Sequence, residues 1–163
     1  MDILAAQVGG ALKAHGLMLA TAESCTGGGV AHAITEVAGS SAWFERGFIA
    51  YANDAKHEML NVSLETLMRH GAVSEAVVRE MVAGALQHSH AQVALAVSGV
   101  AGPAGGSVDK PVGTVWFAWG VVHGTIHAQR YQISGARAEV RAQAVHIALQ
   151  GVLDMLKRLT QTA

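Results

Sequence analysis

The chain has 163 residues, 51% of them hydrophobic and 14% charged, and its 11 Lys plus Arg against 12 Asp plus Glu leave a formal net charge of -1. That balance excludes a disordered segment and a basic, nucleic-acid-coating surface, and the length suits one domain, read as residues 1–163. A single cysteine, Cys25, excludes an intramolecular disulfide framework and fits a reducing, cytoplasmic compartment, and no apolar run approaches the ~20 residues needed to span a bilayer.

Leu4, Val8 and Leu12 recur at helical spacing, so the first segment reads as a folded amphipathic helix ended by Gly16 rather than as a signal peptide. Residues 17–22 form a short apolar run with the length of a strand buried on both faces. A turn over 24–29 leads into a helix carrying Val30, Ile34 and Val37, which together make half a βαβ unit. Residues 43–52 read as a second strand, in which Gly47 predicts a bulge or a close backbone approach. Asn53 or Asp54 is expected to cap a helix over 55–60, with Lys56 in its first turn and Met59 and Leu60 facing the core.

Ser74 is the expected N-cap of a helix reaching about residue 89, with Val78, Val82, Ala85 and Leu86 as its apolar stripe. Residues 93–97 make a further buried strand, which ends in the glycine- and proline-rich loop 98–106. Strands over 113–119 and 125–133 form a local hairpin, and a long helix after Gly135 carries Val145, Leu149, Val152, Leu156 and Leu159. The pattern predicts an α/β fold: a three-layer α/β/α sandwich around a mixed, mostly parallel sheet with a local antiparallel hairpin.

Ser24, Tyr51 and the Ser98 loop all fall at the C-terminal ends of predicted strands, where open α/β sheets bind ligands. Free N–H groups in the turn after Ser24 and the positive end of the following helix favour an anion or oxyanion; the plainer alternative makes Ser24 an N-cap. Lys56 and Tyr51 are possible partners for a serine nucleophile, provided Lys56 is desolvated enough to be neutral; otherwise it is a surface cation. Cys25, beside Ser24 at a helix N-terminus, is an alternative nucleophile if its thiolate is stabilised, and a packed core residue if not. Loop glycines Gly99, Gly102 and Gly105 can turn N–H groups toward an anion, and Arg137 and Arg141 lie four apart on one helix face as a possible clamp. The histidine pairs lack a carboxylate at a ligand spacing, so no metal site is expected.

Five stretches carry a more specific signal: Ala22-Glu23-Ser24-Cys25-Thr26-Gly27-Gly28, residues 47–56 with Tyr51 and Lys56, His70-Gly71-Ala72-Val73-Ser74, Ser98-Gly99-Val100-Ala101-Gly102-Pro103, and residues 110–115. Together they resemble, over nearly the whole chain, the C-terminal domain of the CinA family, the competence/damage-inducible proteins. The resemblance implies hydrolysis of the carboxamide of nicotinamide mononucleotide (NMN) to nicotinic acid mononucleotide and ammonia, within pyridine-nucleotide salvage. It implies a catalytic set on Ser24, Tyr51 and Lys56. Larger members carry an additional N-terminal domain similar to molybdopterin-binding proteins, and this chain resembles the stand-alone form. Ala136 departs from the family, whose members often carry Asp there, and Arg46 and Ala50 depart near the tyrosine strand.

On this reading Ser24 attacks the carboxamide carbon and Lys56 takes the serine proton directly or through Tyr51, while the N–H groups of Cys25 and Thr26 hold the oxyanion. Gly27 and Gly28 of the same turn are expected to bind the substrate as well. Gly99, Gly102, Pro103 and Gly105 of the loop, with Arg137 or Arg141, hold the ribose phosphate. The expected partner is the small-molecule substrate alone, with no cofactor, nucleic acid or membrane, in a homo-oligomer for which a dimer is favoured and whose interface includes the exposed-looking strand over 113–119. A non-catalytic nucleotide-binding or competence-associated module, or an amidohydrolase of a related amide, are the competing functions.

Overall fold

The computed structural model describes residues 2–162. Strand β1 (Leu19–Glu23) is second from one edge of a five-stranded sheet, flanked by parallel neighbours β2 (Phe44–Ile49) and β3 (Val93–Gly99). Antiparallel β4 (Thr114–Val121) and β5 (Ile126–Gln132) follow on the β3 side, giving the order β2-β1-β3-β4-β5. Only β4 runs against the others, so the sheet is mixed and mostly codirectional, with the expected hairpin at one edge. Helices α1 (Asp2–His15), α2 (Gly29–Thr35) and α6 (Arg137–Thr162) cover one face; α3 (Asn53–Leu60), α4 (Leu64–His70) and α5 (Glu75–Gln87) cover the other.

The period of two along each strand divides the core by size. On β3, Val93, Leu95 and Val97 face the α1/α2/α6 layer, whereas Ala94 and Ala96 face α5, and β1 alternates likewise between Leu19 and the pair Ala20 and Ala22. The small side chains let α5 approach the sheet closely. Gly84 of α5 allows a second close approach, because a Cβ there would collide with the main chain of Leu60 at the end of α3. These contacts anchor α3, which carries Lys56.

The helix stops and starts follow local chemistry. Gly16 takes a left-handed conformation after α1, and the Leu17 N–H bonds back to the Leu12 carbonyl. Ser74 caps α5 by accepting from the Val77 N–H. Helix α3 begins two residues earlier than expected, at Asn53, with Ala52 at the cap position and no side-chain cap. Met59 is 38% exposed, so the expectation that it joins Leu60 in the core fails; Leu60 alone is enclosed.

Strand β2 is shorter than the 43–52 reading and leaves Tyr51 beyond its end. Its pairing with β1 slips between Leu19 and Ala20, making room for one extra residue at Glu45. Gly47 is instead a point of close approach, where a Cβ would lie 2.6 Å from Thr21 Oγ1. Strand β4 is largely buried between β3 and β5, so the exposed strand invoked for an oligomer interface is an interior one. No described helix is long and apolar enough to cross a membrane.

Candidate active site

The C-terminal ends of β1, β2 and β3 lie side by side, and the chain leaving each delivers one part of the site. The Ser24 N–H donates to the Val97 carbonyl and the Ala50 N–H to the Glu23 carbonyl, tying the three exits together. Between them opens a cleft of about 200 Å³ lined by Ser24, Tyr51, Asn53, Lys56, Ser98 and Arg137, with Cys25, Ala72, Val73, Gly99 and Ala101 completing its wall.

Lys56 Nζ lies 3.0 Å from Ser24 Oγ and donates to the main-chain carbonyl of Tyr51 at 2.7 Å. Lys56 is only 1% exposed, and burial holds its amine below the ordinary lysine value. The lysine therefore stands beside the serine rather than in solvent, and its amine gives up its proton more readily than a solvated lysine does.

Ser24 is not a helix cap. Gly28, in a left-handed conformation, occupies the cap position of α2, and the capping groups come from Glu23. The buried Glu23 carboxylate accepts from the Thr26 hydroxyl at 2.6 Å, the Val30 N–H at 2.9 Å and the Ala31 N–H at 3.0 Å. The α2 N-terminus, expected to receive a ligand anion, is thus occupied by an internal one. The amide N–H groups of Cys25 and Thr26 are bonded to no acceptor on another described residue, the Cys25 N–H meeting only its own sulfur. With the Gly28 N–H, they are the donors of the turn that no other described residue takes up.

Arg141 grips the same turn from the other side, donating from Nε to the Cys25 carbonyl at 3.1 Å and from a terminal nitrogen to the Thr26 carbonyl at 3.4 Å. Because the Cys25 carbonyl and the Thr26 N–H share one trans peptide, fixing the first aims the second the opposite way. Arg141 does not line the cleft, whereas Arg137 does: it donates to the Gly102 carbonyl at 2.8 Å and to the Tyr51 hydroxyl at 3.4 Å. The Tyr51 side chain is 59% exposed and its hydroxyl meets Arg137 at the rim, so it is the Tyr51 carbonyl that touches Lys56.

Cys25 is enclosed in the α1/α2/α6 layer, and desolvation pushes its thiol up to about 11, so no thiolate is poised there. Gly99 lines the cleft, and a Cβ there would lie 2.6 Å from Val115 Cγ2. Gly102, Pro103 and Gly105 stand outside the lining, with Gly102 serving through its carbonyl to Arg137. The sequence gives no individual task to Glu23 or Ser98, and to Asn53 only that of a possible helix cap. Position at the strand exits was the signal available for all three.

The arrangement defines a class: an α/β protein whose strand exits bring a serine against a buried lysine in a cleft beside backbone N–H donors. A family model, the CinA C-terminal domain, matches residues 1–156, and the chain belongs to that family. The nicotinamide-nucleotide amidohydrolase PncC of Escherichia coli K12 is 58% identical over 147 residues, covering 90% of this chain and 89% of that protein. A CinA-like protein of Akkermansia muciniphila is 48% identical over 90% of this chain but only 36% of its own length. The crystal structure of the competence/damage-inducible protein CihA of Agrobacterium tumefaciens superposes with a TM-score of 0.92 at 45% identity, covering 96% of this chain and 94% of that one.

Proposed function

We propose that this chain, acting as one catalytic domain, hydrolyses the carboxamide of NMN to nicotinic acid mononucleotide and ammonia, a step of pyridine-nucleotide salvage. Ser24 is the nucleophile and Lys56 its base. The single observation that carries the reading is the 3.0 Å contact between the desolvated Lys56 amine and Ser24 Oγ inside the cleft. The amidohydrolase relatives supply the substrate.

Neutral Lys56 takes the hydroxyl proton as Ser24 Oγ bonds to the carboxamide carbon, and the Cys25 and Thr26 N–H groups stabilise the oxygen that becomes negative. Lys56 returns that proton to the nitrogen as the C–N bond breaks and ammonia leaves. Water then attacks the resulting ester, giving its proton to Lys56, which passes it to Ser24 as the acid departs. Tyr51 holds Lys56 through its carbonyl and, with Arg137, frames the rim where the ribose phosphate sits. Arg137 pairs with that phosphate; Gly102, Pro103 and Gly105 shape the loop behind it. Arg141 and the left-handed Gly27 and Gly28 keep the oxyanion turn in shape.

Ammonia release from NMN, run beside free nicotinamide and beside the Ser24→Ala protein, tests the reading. Serine-dependent release with NMN and none with nicotinamide is expected. Tight binding of NMN with no release would overturn it in favour of a nucleotide-binding module.

A further inference from the structure

Ser98 is the enclosed polar residue of the cleft to which the catalytic cycle gives no task. It is 1% exposed, is the penultimate residue of β3, and lines the same cleft as Ser24 and Lys56. Its hydroxyl is bonded to no partner among the described residues, while Thr21 Oγ1 is the one unpartnered side-chain atom sealed completely from open space among them. The Ser98 hydroxyl therefore borders the open cleft. Facing the cleft with no protein partner, this hydroxyl is left available to hydrogen-bond a molecule bound there.

The topology says which part of a bound amide it meets. Strand β3 flanks β1 on the side opposite β2, so Ser24 is bracketed by Lys56 from the β2 side and Ser98 from the β3 side. Alternation along β3 puts Val97 toward the α1/α2/α6 layer and Ala96 toward α5, so position 98 falls on the α5 side of the sheet. Helix α3, with Lys56, packs in that layer, whereas Cys25 and the oxyanion turn belong to the opposite one. A carboxamide whose oxygen points to the Cys25 and Thr26 donors turns its nitrogen toward Lys56 and Ser98.

We propose that Ser98 Oγ is the subsite for the carboxamide nitrogen. It accepts one N–H of the substrate amide and holds the nitrogen where Lys56 can protonate it for departure. This assignment rests on the deamidase reading and makes the site selective for a primary amide over an ester of the same acid, which has no N–H to offer.

The test compares wild type with Ser98→Ala, using NMN and the methyl ester of nicotinic acid mononucleotide as substrates. Because the deleted hydroxyl has no protein partner, Tm stays at the wild-type value, and Ser98→Cys, with a weaker acceptor, serves as a second variant of intermediate effect. The expected result is a loss of about tenfold or more in kcat/KM for NMN, with the ester rate changed by less than about threefold. Unchanged NMN turnover in Ser98→Ala, or equal losses on amide and ester, would overturn the assignment while leaving the deamidase reading in place. A wild-type protein that releases no ammonia from NMN would overturn both.

Discussion

The Nζ of Lys56 sits 3.0 Å from Ser24 Oγ and 2.7 Å from the Tyr51 carbonyl oxygen, and among the described residues no carboxylate pairs with it. A buried amine without a counter-charge opposes folding and serves catalysis, so the two effects separate in one variant. Lys56→Met, which keeps the shape and removes the amine, is expected to abolish turnover and raise Tm by about 2–4 °C, equivalent to ~1 kcal/mol for a chain of this size. In the wild type, activity rises with pH through a Lys56 value below the ordinary 10.5, as the amine becomes neutral. Stability moves the same way. The unfolded chain binds the extra proton between the folded-state value and 10.5, so stability climbs across that window, and the Lys56→Met protein lacks the climb. Parallel rate and melting profiles check both.

Cys25 stands next to the nucleophile yet carries a thiol pushed up to about 11. The Cys25→Ala protein is expected to keep activity within about threefold and to lose ~1 kcal/mol or more of stability through the small cavity. Iodoacetamide at pH 8 should neither label the folded wild type appreciably nor inactivate it. Rapid alkylation with loss of activity would put the thiol back in the mechanism.

Glu23 gathers three donors of the turn and of α2 onto one buried carboxylate. Replacement by Gln leaves one acceptor oxygen and turns an amide toward N–H donors, so a loss of about 2–3 kcal/mol in stability is expected. The turn that carries Ser24 loosens with it. A fall of at least about tenfold in kcat with little change in KM should accompany the lower Tm.

The two arginines of α6 should separate kinetically, although they lie one helical turn apart. Arg137 lines the cleft rim, and Arg137→Ala is expected to raise KM for NMN by tenfold or more with kcat nearly kept, at about 1.4 kcal/mol per factor of ten. Arg141 holds the Cys25 and Thr26 carbonyls, so Arg141→Ala is expected to lower kcat more than it raises KM. Steady-state kinetics of both variants decide the point, and identical effects on KM would restore a shared phosphate clamp.

The alternation of apolar strands with amphipathic helices was legible from the sequence because β1, β3 and β4 are buried on both faces and the helices on one. This also placed Ser24, Tyr51 and Lys56 near strand exits. Helix α4 was not legible: of its seven residues only Leu67 is buried, and its first turn is held by Glu80, which takes the Ser63 N–H and the Thr66 hydroxyl from seventeen and fourteen residues away. No apolar stripe announces such a helix. Glu23 was equally hidden, since a buried carboxylate reads like any surface acid until its three donors are brought to it. The distinct tasks of Arg137 and Arg141 depend on which groups the folded turn presents to each, and spacing along α6 carries no trace of that.

The most direct test of the serine-lysine account is to quench the wild-type protein with acid during turnover of NMN and map any covalent adduct by peptide mass spectrometry. The account predicts the acyl group of nicotinic acid mononucleotide on the peptide containing Ser24, localised to that residue and absent from the Ser24→Ala protein, which is also inactive. An adduct on Cys25, or ammonia release that survives Ser24→Ala, would contradict it.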